Sequence, residues 1–215
     1  MSHKTLVTLL SWEDRYILGL QKNLEKYLPN SVVIFAYENP LTETWKKDNL
    51  NRTKKLLGKR FHVIKLNPNT PHENWFIFKR AFANLNTNTE CIIDITTMTR
   101  ETIWLSLYNC KINSYKTNYV YYKPEHYSND WISRDPGKPR LLYKMSGVAK
   151  LGSPTLLLIT GGYDTERLDS LIHHFEPKSI MLFFQEGNAY EKLKKNKNSE
   201  EKLKSKYNIQ HIYYY

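Results

Sequence analysis

The densest chemistry in the chain is the run C-I-I-D-I-T-T-M-T-R-E-T from Cys91 to Thr102. An apolar strand ending at Asp94 and Ile95 passes into a turn bearing the hydroxyls of Thr96, Thr97 and Thr99 around Met98. A helix is expected to start near Arg100, with Glu101 in its first turn. Backbone N–H groups at a helix start have no partner within the helix, and with hydroxyls and a guanidinium beside them they make a cradle for a phosphate or another anion. The same residues also have a structural reading, because Thr is an ordinary N-cap and Glu in a first turn suits the helix dipole. Hydroxyls and Arg at a strand's carboxyl end favour ligand contact.

Two further turns echo each other. S-W-E-D-R spans Ser11 to Arg15, and G-G-Y-D-T-E-R spans Gly161 to Arg167. In each, an aromatic residue stands before acids and an Arg where a helix should begin. Trp12 and Tyr163 could stack on bases, a contact worth about 1 to 3 kcal/mol. Arg15 and Arg167 could reach phosphate, or could pair with Glu13 and Glu166 as an internal brace; both readings stand. Gly161 and Gly162 form a tight-turn signal without the G-x-G-x-x-G spacing of dinucleotide sites. The echo runs on, with Pro29, Ser31 and the apolar run 32–36 matching Pro177, Ser179 and 180–184. Duplicated β-α-β units usually form one sheet, with equivalent turns meeting at the carboxyl ends of parallel strands, where ligands sit. Arg15, Arg100 and Arg167 are therefore expected to face one crevice.

The pattern D-I-T-T-M-T-R resembles the strand-four signature, roughly D/N-x-T-G-G-T-K, of the CRISPR-associated Rossmann-fold (CARF) sensor domains. The likeness covers this motif and the general strand order over about the first three-quarters of the chain. It implies a pocket for cyclic oligoadenylate or a related nucleotide, formed across a two-fold homodimer, within a prokaryotic antiviral defence system. By position, Thr96, Thr99 and Arg100 match the family's Thr, Thr and Lys. Thr97 and Met98 stand where the family has two glycines, whose lack of side chains allows close backbone approach. Similar T-x-x-T-R-E turns occur in uncharacterised proteins that look associated with antiviral defence, so the resemblance is that of a relative.

Enzyme constellations are sparse, and no catalytic residues are assigned. His173 and His174 are adjacent, so on a helix they diverge by about 100 degrees and cannot share a metal. H-E-x-x-H, G-x-S-x-G and G-x-x-x-x-G-K-[ST] do not occur. Neither a cofactor nor a metal site is expected. The rival enzyme reading gathers Glu13, Asp94, Glu101, Asp164 and Glu166 at one edge, where acids could hold a divalent ion and cleave a phosphodiester.

The elements that must position these turns read as alternating strands and helices. Apolar runs suggest strands at 5–10, 31–37, 61–66, 91–95, 119–122, 155–160, 179–184 and 209–214. Tyr16, Leu20, Leu24 and Leu28 recur at helical spacing, as do Trp75, Phe78, Phe82 and Leu85, and Ile103, Leu107 and Cys110. The pattern predicts an α/β, Rossmann-like, mostly parallel sheet with helices on both faces, in a single domain over 1–215. Residues 123–154 are rich in Pro, Gly, Ser, Asn and Asp and carry Tyr127, Trp131 and Tyr143, which suits a lid or arm. Its aromatics either close over a base or pack on a sheet edge or second subunit. The second copy stops on a strand, so the chain reads either as the front of something longer or as a partial duplication.

Composition sets the outer bounds. With 215 residues and a formal net charge of +11, the chain can bury one good-sized core and attract polyanions. Much of the Lys lies in 191–206, read either as a solvated helix face or as a nucleic-acid contact; a rival interaction reading makes the chain a defence-complex subunit whose basic surface touches DNA or RNA. Cys91 and Cys110 are expected to be buried, reduced thiols. With no apolar run of about 20 residues and no secretion-signal core, a cytoplasmic protein without membrane contact is expected.

Overall fold

A computed structural model describes residues 3–38, 43–123, 139, 141–148, 150–161, 165–184 and 193–214. The chain divides into two compact units, one of Met1–Pro124 with Leu142–Lys144 and the other of Glu125–Leu141 with Met145–Tyr215.

The first unit runs β1 (His3–Leu9), α1 (Asp14–Tyr27), β2 (Ser31–Tyr37), α2 (Glu43–Leu57), β3 (Phe61–Leu66), α3 (Pro71–Ala83), β4 (Thr89–Asp94), α4 (Arg100–Ile112) and β5 (Lys116–Val120). Its five strands are all parallel, in the order β3-β2-β1-β4-β5. β2 is almost continuously apolar, as a strand buried on both faces tends to be, and β1 is buried from Thr5 to Leu9 with two threonines among its apolar residues. One face carries Leu6, Leu10, Val32, Ile34 and Ile92, packed under Tyr16, Ile17 and Leu20 of α1. On the other, Phe35 stacks on Phe78 of α3 with ring centroids 3.9 Å apart and on Phe82 at 6.5 Å. Each fully buried ring contributes about 1.5–3 kcal/mol relative to an exposed one. Chain order reverses between β1 and β4, and in such a sheet the crevice forms outside the carboxyl ends of those two strands.

The second unit runs β6 (Leu156–Gly161), α5 (Thr165–Phe175), β7 (Ser179–Phe184), α6 (Leu193–Lys206) and β8 (Ile209–Tyr214). Its strands form a separate parallel sheet, β6-β7-β8. Ile159, Ile180, Leu182 and Phe184 pack with Leu168 and Ile172 of α5 and Leu203 of α6. Asp169 ties the two helices together, accepting from Lys206 Nζ at 2.8 Å and from the Tyr207 hydroxyl at 2.5 Å.

The repeat therefore lies in two sheets, where duplication suggested one. β1 is flanked by β2 and β4, and the edge strands β3 and β5 are short and carry His62, Lys65, Lys116 and Asn118, residues that discourage the addition of another strand. Among the described residues of the 123–154 connection, Tyr143 packs beside Trp75, at 6.2 Å between centroids, and beside His72 at 6.5 Å. Tyr127 and Trp131 lie outside the described residues. Among those described, no helix is long and apolar enough to cross a membrane.

Candidate functional site

Two of the three singled-out turns lie side by side at the β1/β4 switch point. The β1–α1 turn carries Ser11, Trp12, Glu13 and Arg15; the β4–α4 turn carries Thr96 to Arg100. β1 and β4 pair in parallel through Val7 and Ile93, which brings both turns to one edge. They are joined directly, because the Thr97 hydroxyl donates to the Leu9 carbonyl at 3.2 Å.

The first turn is built by local capping and by α2. Ser11 is buried, and its Oγ accepts from the Glu13 amide at 3.1 Å. Asn49 of α2, also buried, donates to the carbonyls of Ser11 at 2.8 Å and Glu13 at 3.1 Å. Glu13 takes the N-cap position of α1 without capping it through its side chain. Its carboxylate is held instead by Arg15, through Nε at 3.0 Å and Nη2 at 2.5 Å. The brace anticipated for Arg15 is thus present. Among the described residues Nη1 of Arg15, on the same fork, is buried without a well-formed hydrogen bond, with the Tyr121 hydroxyl also beside the guanidinium; a donor left unfilled costs about 1–3 kcal/mol unless an acceptor is supplied. Burial works against the guanidinium charge, but Glu13 and the nearby Tyr121 hydroxyl outweigh it and hold the group above its ordinary value.

In the second turn each hydroxyl has a structural task. Thr96 Oγ1 accepts from the Tyr122 amide at 3.0 Å, and Thr99 caps α4 by accepting from the Thr102 amide at 3.3 Å. Met98 is buried. Arg100 opens the helix and is exposed. Glu101 is buried and accepts from the Tyr37 hydroxyl at 2.9 Å, a contact that reaches from the end of β2 across β1 to α4. Lys46 of α2 is buried too, donating to the Tyr37 carbonyl and to Glu43 at 3.4 Å.

Below the second turn lies a polar bracket that sequence reasoning missed. Asp94, at the end of β4, accepts from Asn23 Nδ2 at 2.8 Å and from the Thr96 amide at 3.0 Å. The Tyr122 hydroxyl donates to Asn23 Oδ1 at 3.0 Å. Burial pushes the Asp94 carboxyl up from the usual carboxylate range, and the bonds from Thr96 and Asn23 offset this only in part. The bracket pins the β4–α4 turn to α1 and to Tyr122, two residues beyond β5. No motif announces it, since Asn23 and Tyr122 meet Asp94 only through the fold.

The carboxylates of the rival enzyme reading have other partners: Glu13 on Arg15, Asp94 on Asn23, Glu101 on Tyr37. Among the described residues no group of three His, Cys, Asp or Glu could hold a metal ion. Asp164 and the side chain of Glu166 lie outside them. Of the third turn, Gly161 ends β6 and Arg167 stands exposed in the first turn of α5. Gly162 and Tyr163 fall outside the described residues. No protein-family model matches the chain, and no curated protein does either.

Proposed function

We propose that the first unit binds a phosphate-bearing, nucleotide-type ligand in the crevice over β1 and β4, as a CARF-like sensor. The observation that supports this reading is the Arg15 guanidinium, whose Nη1 is buried without a well-formed hydrogen bond among the described residues, in the turn that lies beside the β4–α4 turn. Arg100 and the helix start offer positive potential at the same edge. The charges carried by these two turns and by the start of α2 are balanced, with Arg15, Lys46 and Arg100 set against Glu13, Glu43 and Glu101. Such a crevice suits a nucleotide better than a bare anion, because ribose and base can meet carboxylates and the half-buried Trp12 while phosphate meets Arg. The D-I-T-T-M-T-R resemblance supports cyclic oligoadenylate as the first ligand to try, bound across a homodimer in a defence system. Signalling would follow if the ligand prefers one arrangement of the dimer or of the 123–154 connection.

Calorimetric titration with cyclic oligoadenylate, linear oligoadenylate and ATP tests this. Arg15→Gln and Arg100→Gln should each weaken binding by about 10- to 100-fold, the loss of one charge-assisted bond. Absence of binding by all three compounds, or binding indifferent to both substitutions, would overturn the proposal.

A further inference from the structure

A cluster of exposed cations stands at the opposite, N-terminal edge of the five-stranded sheet. α2 ends in K-K-L-L-G-K-R, residues 54–60. Gly58 adopts φ +59° and its amide donates to the Lys54 carbonyl at 2.9 Å; the Arg60 amide then donates to the Leu57 carbonyl at 3.1 Å. Glycine takes this left-handed cap without penalty. The tight turn gathers Lys54, Lys55, Lys59 and Arg60 into one corner, all four exposed. Among the described residues none of the four enters an ion pair, whereas Lys65 pairs with Glu38 at 2.8 Å and Lys116 with Glu90 at 3.4 Å.

The lysine run near the C-terminus behaves differently. Its Lys204 pairs with Glu200 at 2.5 Å and its Lys206 with Asp169 at 2.8 Å. The cations that are prominent in sequence are partly neutralised by their own acids, and those of the α2–β3 corner are not. A helix C-terminus carries about half a negative charge, too little to balance four cations. We propose that this corner contacts the sugar–phosphate backbone of nucleic acid, independently of sequence. An acidic lipid surface is a poorer match, because stable anchoring needs an apolar or acyl component besides a basic patch. Val63, 39 % exposed on β3, is the large apolar residue nearest in sequence to the corner that is exposed.

The probe is a fluorescein-labelled 20-nucleotide single strand, followed by anisotropy in 50 to 200 mM KCl. Four phosphate contacts contribute about 2.8 to the slope of log affinity against log salt for a single strand, or about 50-fold in affinity over that range. The variant K54Q/K55Q/K59Q/R60Q should lose that component and keep the wild-type melting temperature, since all four side chains are exposed. K202Q/K204Q should leave the slope unchanged. An unaltered slope in the quadruple variant, a slope lost in K202Q/K204Q instead, or equal dependence on the four cations for binding phosphatidylserine vesicles would each overturn the proposal. Because these residues lie away from the crevice, Arg15→Gln and Arg100→Gln should not change the slope, and the two sites fail or succeed separately.

Discussion

Gly19→Ala is a sharp test of how the switch point is held. Gly19 lies in α1, and a Cβ added there would stand 2.9 Å from Asp94 Oδ2 and 3.3 Å from Cδ2 of Tyr122. In an unconstrained helix this substitution gains about 1 kcal/mol. Here the carboxylate cannot simply move away, because Oδ2 is held by Asn23 at 2.8 Å and Oδ1 by the Thr96 amide at 3.0 Å. Weakening one hydrogen bond to a charged group costs up to about 1.5–3 kcal/mol, and overpacking typically costs about 1–3 kcal/mol. After the helix gain, a net loss of about 1–2 kcal/mol is expected, or about 4–8 °C in melting temperature for a unit of this size. Tryptophan fluorescence is a suitable readout, since Trp12, Trp45, Trp75 and Trp104 all belong to the first unit. In an Asp94→Ala background the 2.9 Å obstruction is gone and the 3.3 Å contact with Tyr122 remains, so the same Gly19→Ala change should cost clearly less than on the wild-type background, or stabilise by up to about 1 kcal/mol. A rise in melting temperature on the wild-type background, or the same loss on both, would refute the role assigned to the bracket.

Two more outcomes follow from buried groups. Because the folded Asp94 carboxyl sits above its ordinary value, the native state holds its proton to higher pH than the unfolded chain does. Asp94's contribution to stability therefore falls as pH rises from the usual carboxylate range through the raised value and is flat beyond it; Asp94→Asn should remove this slope in urea titrations run from pH 4 upward. Cys91 and Cys110 are free and buried, and the hydrogen bond with the neighbouring Cys110 thiol, together with burial, pushes Cys91 above the ordinary thiol range, so a disulfide-exchange reagent should label neither in the native protein and both after denaturation; rapid native labelling of Cys91 would contradict this placement.

The parallel α/β architecture was legible because strand-length apolar runs alternate with helical periodicity, most plainly at β2, SVVIFAY. Ser31–Tyr37, Phe61–Leu66, Ser179–Phe184 and Ile209–Tyr214 were anticipated residue for residue. The turn from Thr96 to Arg100 was legible for the same local reason, since a hydroxyl cap before a helix is a sequence-level signal, and Thr99 does cap α4. The separation into two sheets was not legible, because which strands share a sheet is set by pairings between segments distant in sequence, such as β1 with β4, that no local pattern reports. Asn49, Asn23, Tyr37 and Tyr122 were missed for a related reason. Each is a commonplace polar residue whose task arises only when α1, α2 and the strand ends converge, and α2, with K-K-D-N-L-N-R-T-K-K at its centre, offers little apolar periodicity to place Asn49.

The most direct test of the central claim is a heteronuclear NMR titration of the chain with cyclic oligoadenylate, following backbone amides. The crevice account predicts saturable shifts at Trp12 to Arg15 and at Thr97 to Glu101, with Lys54 to Arg60 undisturbed at moderate salt. Shifts confined to the α2–β3 corner, or none at millimolar ligand, would contradict it.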